Sequence, residues 1–341
     1  MVSETRSGNV VAVNRHEAVA LCLTALDAAG AARRVAELLT ESALFAEDHG
    51  RPDVGVAHLL DHLEALEDGR IDGRAEPRIG HPTPAVITAD ARGGIAHTGF
   101  DLAFPALVRT ARRHGLAAFA QQGSFTVGPL GWFPERLADA GLLALATAVA
   151  PAVLATAAGT GRVLGTNPIA WSVPCPGQTP LTVDRSSSGT AFVSVRDAAA
   201  RGTPLPEGWA VDGCGRPTAS PEAALAGALL PFGGYKVANI ALLVELLSSM
   251  AGGAWPLDAP PGDSGSRSPS VGMFVLAVDP GAFGRDYPRR VADHLRRLAD
   301  RGVRPPGRHR SASVPRPGCL LSLRADVIAA LRDRARVAVA G

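Results

Sequence analysis

Apolar side chains recur every three or four positions over the first 70 residues, a spacing typical of amphipathic helices. Gly30, Gly50 and Gly69 follow the three apolar stripes and are expected to end the helices. Asp53 precedes the third stripe and is expected to cap that helix at its N-terminus. The pattern therefore predicts three helices, with stripes formed by Val19, Leu23 and Leu26, by Val35, Leu38, Leu39, Ser42 and Phe45, and by Val56, Leu59, Leu63 and Leu66.

From Gly80 onward, the pattern changes to short apolar runs that suit buried strands. Gly115 and Gly141 stand where two intervening helices are expected to end. The mixture predicts an α/β or α+β protein, and the Gly-, Pro- and Ser-rich stretch 252–271 predicts a mobile surface loop. Strands are predicted at 85–90, 116–121, 142–149, 181–184 and 273–279, and helices at 101–113, at 133–140, after Gly234 and at 291–302.

Composition indicates a globular protein with a large core, because 46% of the 341 residues are hydrophobic and only 19% are charged. The formal net charge of +2 is spread along the chain, so we expect no nucleic-acid partner. The uncharged stretch 140–161 is rich in Ala and Thr and is broken by Pro151, which favours a buried strand and turn over a membrane span. Four cysteines without C-x-x-C spacing, and an N-terminus without an export leader, predict reduced thiols in a cytoplasmic protein.

Several familiar site motifs are absent or incomplete. GTGRVLG at 159–165 spaces its glycines as G-x-G-x-x-x-G, which predicts a turn and not a Rossmann dinucleotide fingerprint. His58, Asp61 and His62 form H-x-x-D-H, but no third ligand is identifiable, so they are expected on a solvated or interface face and no metal is predicted. The sequence contains neither G-x-S-x-G nor a P-loop, which argues against esterase and P-loop nucleotide hydrolase chemistry.

Three separated segments carry the most specific chemistry. VDRSSSGT at 183–190 runs from a predicted strand end into hydroxyl and backbone donors, which suit phosphate oxygens. GGYKVAN at 233–239 places Lys236, the only lysine of the chain, at a predicted helix start whose dipole favours an anion. The third segment is PPGRHR at 305–310.

Taken in order, these segments resemble the malate/L-lactate dehydrogenase-like family of NAD(P)-dependent oxidoreductases. LGTNPIAW at 164–171, the VDRSSS strand end and the run 204–236 carry the resemblance. It implies a non-Rossmann fold, with a helical domain of residues 1–79 and 285–341 and a sheet-based cofactor domain of residues 80–284, usually in a homodimer whose active site lies near the subunit contact. It also implies NADPH or NADH as cofactor, in contact with Thr166, Asn167, Asp184, Arg185, Ser186, Ser187, Tyr235, Lys236, Pro306, Gly307 and Arg308.

The resemblance breaks down at the reacting centre. Members usually read D-S-H-G-x-x-R, in which the His donates a proton and the Arg grips the substrate carboxylate; Val54 and His58 stand at those positions. Thr126 replaces a second usual His, and neither Val54 nor Thr126 can deliver a proton near neutral pH. Arg185 and Arg308 stand where members often have Met and Glu, and their added positive charge favours NADPH over NADH.

The sequence therefore predicts a diverged NAD(P)H-dependent oxidoreductase acting on a small 2-keto acid, imine or conjugated acceptor, with specialised metabolism as one expected setting. An already protonated iminium needs no strong acid, and His58, Lys236 and Asp53 are the candidate catalytic side chains that would orient it or relay a proton. Two alternatives stay open: non-redox chemistry such as cyclisation, elimination or condensation, and a binding protein without turnover.

Overall fold

The computed structural model describes residues 9–157, 161–303 and 320–340. The helices are α1 Arg15–Ala28, α2 Arg33–Asp48, α3 Leu59–Glu67, α4 Ala96–His114, α5 Trp132–Asp139, α6 Phe192–Arg201, α7 Pro221–Ala226, α8 Tyr235–Ser248, α9 Tyr287–Ala299 and α10 Ala325–Ala340. The strands are β1 Val10–Asn14, β2 Arg78–Thr83, β3 Val86–Asp90, β4 Leu116–Ser124, β5 Leu143–Ala148, β6 Ile169–Val173, β7 Leu181–Arg185, β8 Ala210–Val211, β9 Pro217–Thr218, β10 Ala228–Leu229, β11 Val271–Val278 and β12 Leu320–Arg324.

A seven-stranded sheet in the order β2-β3-β4-β11-β5-β6-β7 forms the centre of the protein. Only β3 and β4 pair in parallel, and α4 makes the crossover that a parallel pair requires. Strand β11 lies between β4 and β5, and most of its side chains are buried because both of its edges and faces are covered. This sheet and its flanking helices confirm the expectation of a mixed α and β fold.

The first and last described elements of the chain pack against each other. Strand β1 pairs antiparallel with β12, and α1 packs beside α10. The buried face of α1 includes Ala18, Cys22 and Ala25, while Val19 and Leu23 are only half-buried. The predicted stripe of α1 is therefore right at Leu26, which is fully buried, whereas Val19 and Leu23 pack at the margin of the core.

One hydrophobic core runs from the helices into the central sheet. Its aromatic centre, formed by Phe100, Phe119, Trp132 and Phe133, lies between α4, α5 and the sheet. Gly115 follows α4 with a φ of 85°, a left-handed conformation that glycine adopts without strain, so the predicted end of that helix is confirmed.

The described residues of the uncharged stretch at 140–161 form no long helix. Its first half is β5, which is buried in the sheet, and no described helix is long and apolar enough to cross a membrane. Helices α6 and α7 pack together with the short strands β8 to β10 around a second, smaller core. Helix α9 packs on the edge of the large sheet, where its Leu295 joins a cluster with Val173 and Leu181.

Candidate active site

The segment before α3 does not begin a helix in the way the sequence pattern predicts. Two short 3₁₀ turns, Pro52–Val54 and Val56–His58, precede α3, which starts at Leu59. Asp53 lies in the first turn and makes no capping hydrogen bond, so the expectation that Asp53 caps α3 was wrong. Its carboxylate is left on the wall of a cavity.

Gly55 and Glu47 fix the shape of this segment. The Glu47 carboxylate accepts a hydrogen bond of 2.9 Å from the backbone N–H of Val56. A Cβ atom at Gly55 would lie 2.3 Å from the same carboxylate oxygen, so a larger residue would push Glu47 away. The glycine therefore permits the close contact that breaks the chain into two turns, and Val54 and His58 both line the cavity as a result.

This cavity has a volume of about 1110 Å³. It lies between the segment at 51–61, the segment that follows β4 and the end of β7. Its walls combine residues from the two groups that the sequence indicated separately. The candidate catalytic residues Asp53 and His58 line it. So do four residues of the predicted cofactor site, Thr166, Asp184, Arg185 and Ser186.

His58 is held by a carboxylate at one side of its ring. Its Nδ1 atom lies 2.7 Å from Oδ2 of Asp61, and the same oxygen accepts a hydrogen bond of 2.7 Å from the Arg196 guanidinium. Burial opposes ionisation of Asp61, but the hydrogen bond from His58 and the positive charge of Arg196 outweigh it and hold the pKa of this carboxyl well below its usual range. No described residue hydrogen-bonds to His58 Nε2, so that atom is left for a ligand in the cavity.

His62 lies behind His58 and is buried, with 3% of its surface exposed. Its Nδ1 contacts the His58 carbonyl at 3.0 Å, and its ring packs edge-on against those of His58 and Phe125. Burial, aided by the charge of His58, lowers the pKa of His62 to about 4, so the ring is neutral at physiological pH. The expectation that these histidines occupy a solvated face was therefore wrong. Helix α3 is covered by other parts of the protein on the side of its histidines as well as on the side of its apolar stripe.

Asp184 and Arg51 form a second polar pair on the cavity wall. Arg51 donates to the Asp184 carbonyl at 3.0 Å and lies 3.5 Å from its carboxylate, which also accepts the backbone N–H of Gly131 at 2.9 Å. Burial raises the pKa of the Asp184 carboxyl, although the Arg51 charge and the Gly131 N–H oppose the rise.

The serine segment after β7 divides into cavity-lining and supporting residues. Ser186 and Ser188 share a hydrogen bond of 3.0 Å and line the cavity. Ser187 is buried and donates to the carbonyl of Asn167, whose own side chain donates to Glu245 and the Ala241 carbonyl in α8. Ser187 and Asn167 thus support the cavity wall from behind.

Two further predicted site residues, Tyr235 and Lys236, do not line the cavity. Tyr235 and Lys236 are exposed at the start of α8, so the structure does not bring Lys236 together with His58 and Asp53. Pro306, Gly307 and Arg308 lie outside the described residues. Val54 and Thr126, which the resemblance places at the histidine positions, both line the cavity.

The Gly-, Pro- and Ser-rich loop at 252–271 covers part of the cavity, and β11 already begins at its last residue, Val271. The buried Arg70 side chain donates to the Gly262 carbonyl, and Arg196 lies 3.9 Å from the carboxylate of Asp263. The loop contributes Pro256, Leu257, Ala259, Pro261, Gly262, Asp263 and Ser264 to the lining.

Sequence reasoning missed Arg51 and Arg196 as site residues. Arg51 is 133 positions from Asp184, and Arg196 is 135 positions from Asp61, so neither contact follows from any local spacing. The described residues contain no group of three or more His, Cys, Asp or Glu side chains arranged to hold a metal ion.

The sequence profile of the malate/L-lactate dehydrogenase family matches residues 13–318 of this chain. The chain belongs to that family. Family membership confirms the resemblance drawn from the sequence and the expectation of an NAD(P)-dependent oxidoreductase.

Two relatives illustrate the range of the family. A (2R)-3-sulfolactate dehydrogenase (NADP(+)) of Chromohalobacter salexigens is 36% identical over 327 residues, which cover 94% of this chain and 97% of the relative. A Δ1-pyrroline-2-carboxylate reductase of Pseudomonas fluorescens is 35% identical over 291 residues, which cover 84% and 85% of the two chains.

Solved structures agree with this relationship over almost the whole chain. The Δ1-piperideine-2-carboxylate reductase of Pseudomonas syringae has a TM-score of 0.80 at 29% identity, covering 97% of this chain and 95% of that one. A dehydrogenase of Sinorhizobium meliloti has a TM-score of 0.85 at 26% identity, covering 96% and 99%. The non-Rossmann dehydrogenase fold expected from the sequence is thereby confirmed.

Proposed function

We propose that this protein is an NADPH-dependent reductase of a small 2-imino or 2-keto acid, with a cyclic imine as the preferred substrate. The observation that carries the proposal is that one cavity joins the His58–Asp61 pair to the predicted cofactor residues at the end of β7. A proton source and a nucleotide site must share one space if a hydride and a proton are to be added across the same double bond.

The cavity residues fit a pyridine nucleotide. A volume of 1110 Å³ slightly exceeds the upper end of the range of about 300–1,000 Å³ that is typical of small-molecule sites, so there is room for a dinucleotide and a small acid. The hydroxyls of Ser186 and Ser188 hydrogen-bond to each other and to the Thr190 carbonyl, and their oxygens can accept from a ribose hydroxyl. Arg185 supplies an exposed positive charge next to them for phosphate oxygens. When bound, NADPH supplies the hydride.

His58 is proposed to supply the proton. In the protonated ring, Nδ1–H donates to Asp61 and Nε2–H is left for the substrate. As the hydride adds to the carbon of the C=N or C=O group, the Nε2 proton passes to the nitrogen or oxygen and leaves a neutral ring whose remaining proton faces Asp61. His58 would therefore take over the task that Val54 cannot perform.

Two arguments favour a cyclic imine over a ketone. Relatives named for Δ1-pyrroline-2-carboxylate and Δ1-piperideine-2-carboxylate reduction match most of this chain. An imine is also far more basic than a ketone, so a histidine is a sufficient acid for it.

The test is oxidation of NADPH, followed by its absorbance, with Δ1-pyrroline-2-carboxylate, Δ1-piperideine-2-carboxylate and 3-sulfopyruvate offered in turn. We expect turnover with the cyclic imines, and a much smaller rate with NADH. Absence of turnover with all three, together with absence of NADPH binding in a fluorescence titration, would overturn the proposal. His16→Gln, an exposed change on α1, is a matched control for the His58 variants.

We also propose that the protein forms a homodimer through an exposed apolar face of α8. Five large apolar side chains of this helix and its end are 45–64% exposed: Ile240, Leu242, Leu243, Leu246 and Met250. So large an apolar surface is costly in water unless another surface covers it. Phe232 and Leu257, which line the cavity, are also exposed and would extend the contact to the cavity mouth, so a second copy is the proposed occupant.

The cytoplasm is the proposed compartment. Cys22 and Cys214 are free thiols, which suits a reducing environment.

A further inference from the structure

Four arginines of the described residues line the cavity. Two of them are bound by other protein groups, and a third lies beside the predicted cofactor site. Arg162 donates to the carbonyls of Leu225 and Gly227. Arg196 is neutralised between Asp61 and Asp263. Arg185 is exposed, next to the serine segment of the predicted cofactor site. Arg51 is the fourth arginine.

Arg51 is half-buried, with 27% of its side chain exposed, and uses only one of its three nitrogens for the protein. Its Nη1 atom donates to the Asp184 carbonyl, and no described residue hydrogen-bonds to Nε or Nη2. Those two atoms form the fork with which a guanidinium binds a carboxylate in two parallel hydrogen bonds. Partial burial strengthens such a contact because water competes less well.

The place of Arg51 in the chain matches this use. It directly precedes the 3₁₀ turns that carry Asp53, Val54 and His58, and all four residues line the same cavity. In a 2-imino or 2-keto acid, the carboxylate is one bond from the carbon that receives the hydride. A side chain that holds the carboxylate must therefore lie close to the proton donor.

We propose that Arg51 binds the carboxylate group of the substrate, in place of the family's arginine at the position that His58 occupies here. This inference rests on the proposed function and adds to it the residue that selects for an acid.

The test uses furan-2-carboxylate, a planar ring acid without a reducible C=N bond, and furan-2-carboxamide as its uncharged partner. Each is titrated calorimetrically into the full protein with saturating NADP⁺. We expect the wild-type protein to prefer the carboxylate, and Arg51→Gln to weaken carboxylate binding by roughly 10- to 100-fold, the worth of a charge-assisted hydrogen-bond pair. Amide binding should stay unchanged.

Two further variants make the result specific. Arg51→Lys keeps the charge but loses the two parallel donors, so we expect an intermediate affinity for the carboxylate. This variant replaces Arg51→Gln in the test if Arg51→Gln does not fold. Arg33→Gln, at an exposed arginine of α2 outside the cavity lining, should leave carboxylate binding unchanged. Wild-type affinity in Arg51→Gln, an equal loss in Arg33→Gln, or equal wild-type binding of acid and amide would each overturn the inference.

These results are independent of turnover. If the protein prefers the carboxylate because of Arg51 but oxidises no NADPH, the proposed function is contradicted and the role of Arg51 in carboxylate binding is supported. If the protein reduces imines without that preference, the proposed function is supported and the role of Arg51 is contradicted.

Discussion

His58 and Asp61 are joined by a contact of 2.7 Å between Nδ1 and Oδ2, one turn apart at the start of α3. The carboxylate fixes which ring nitrogen faces the protein and which faces the cavity, as in acid–base pairs of other enzymes. The Arg196 guanidinium fixes the carboxylate in turn. Under the proposed function, this arrangement gives the cavity a proton donor at the position where the resemblance places an arginine.

Replacement of either member of the pair should reduce turnover to different extents. His58→Gln removes the proton donor, and we expect kcat to fall by roughly 10²- to 10⁴-fold, the usual worth of a general acid. Asp61→Asn keeps the ring but loses the carboxylate that orients it, so we expect a smaller fall in kcat. Steady-state kinetics measures both effects.

The two changes should not be additive. Because Asp61 acts through His58, the double variant should be no slower than His58→Gln alone. A double variant that loses the full product of the two single effects would show that Asp61 acts elsewhere.

Arg185 should set the choice of coenzyme. Arg185→Met removes an exposed positive charge beside the serine segment, and we expect NADPH affinity to fall by about tenfold while NADH affinity stays unchanged. Fluorescence titration of both coenzymes measures the ratio. Equal losses for the two would place Arg185 away from a 2′-phosphate, and the charge argument for NADPH would then depend on Arg308 alone.

Buried neutral histidines should make the fold sensitive to mild acid. Burial lowers the pKa of His62 to about 4 and that of His97 to about 3, against an ordinary value of 6.5. Between those values the unfolded chain binds protons that the folded chain does not, so stability falls as pH falls below about 6.5. For His62 the loss approaches about 3 kcal/mol at acid pH.

Thermal melting across this pH range tests that expectation. His97→Gln should flatten the dependence, whereas His16→Gln, an exposed control, should not. An unchanged slope in His97→Gln would show that the histidine is protonated in the folded state.

The exposed face of α8 should control the oligomeric state. Leu243→Asp and Leu246→Asp place charge on the proposed interface, and we expect the mass measured by light scattering to fall from that of a dimer to that of a monomer. Leu102→Asp, at an exposed leucine on α4, is the matched control and should leave the dimer intact. A wild-type monomer, or a dimer that survives both changes, would contradict the proposal.

Local pattern was sufficient for most of the elements and for the family, but not for the centre of the site. The strands at β3, β4, β5, β7 and β11 follow their apolar runs, because burial within a sheet leaves a continuous local signal. The start of α3 was misplaced, because the contact of Gly55 with Glu47 on another helix overrides the local preference for a capped helix.

The partners of the candidate catalytic histidine illustrate the same limit. The H-x-x-D-H spacing identified His58 and Asp61 as neighbours, but it did not show that α3 would bury His62. Arg196 joins the pair from α6, and only the folded chain brings it there. Arg51 has no motif around it, and its role follows only from the cavity that it lines.

The most direct test of the account is calorimetric titration of NADPH into the wild-type protein and into Thr166→Trp, which places a large ring in the cavity. The account predicts one site per chain with a dissociation constant on the order of micromolar for the wild type, and loss of that binding in the correctly folded variant. Absence of NADPH binding to the wild type, or undiminished binding to Thr166→Trp, would contradict it.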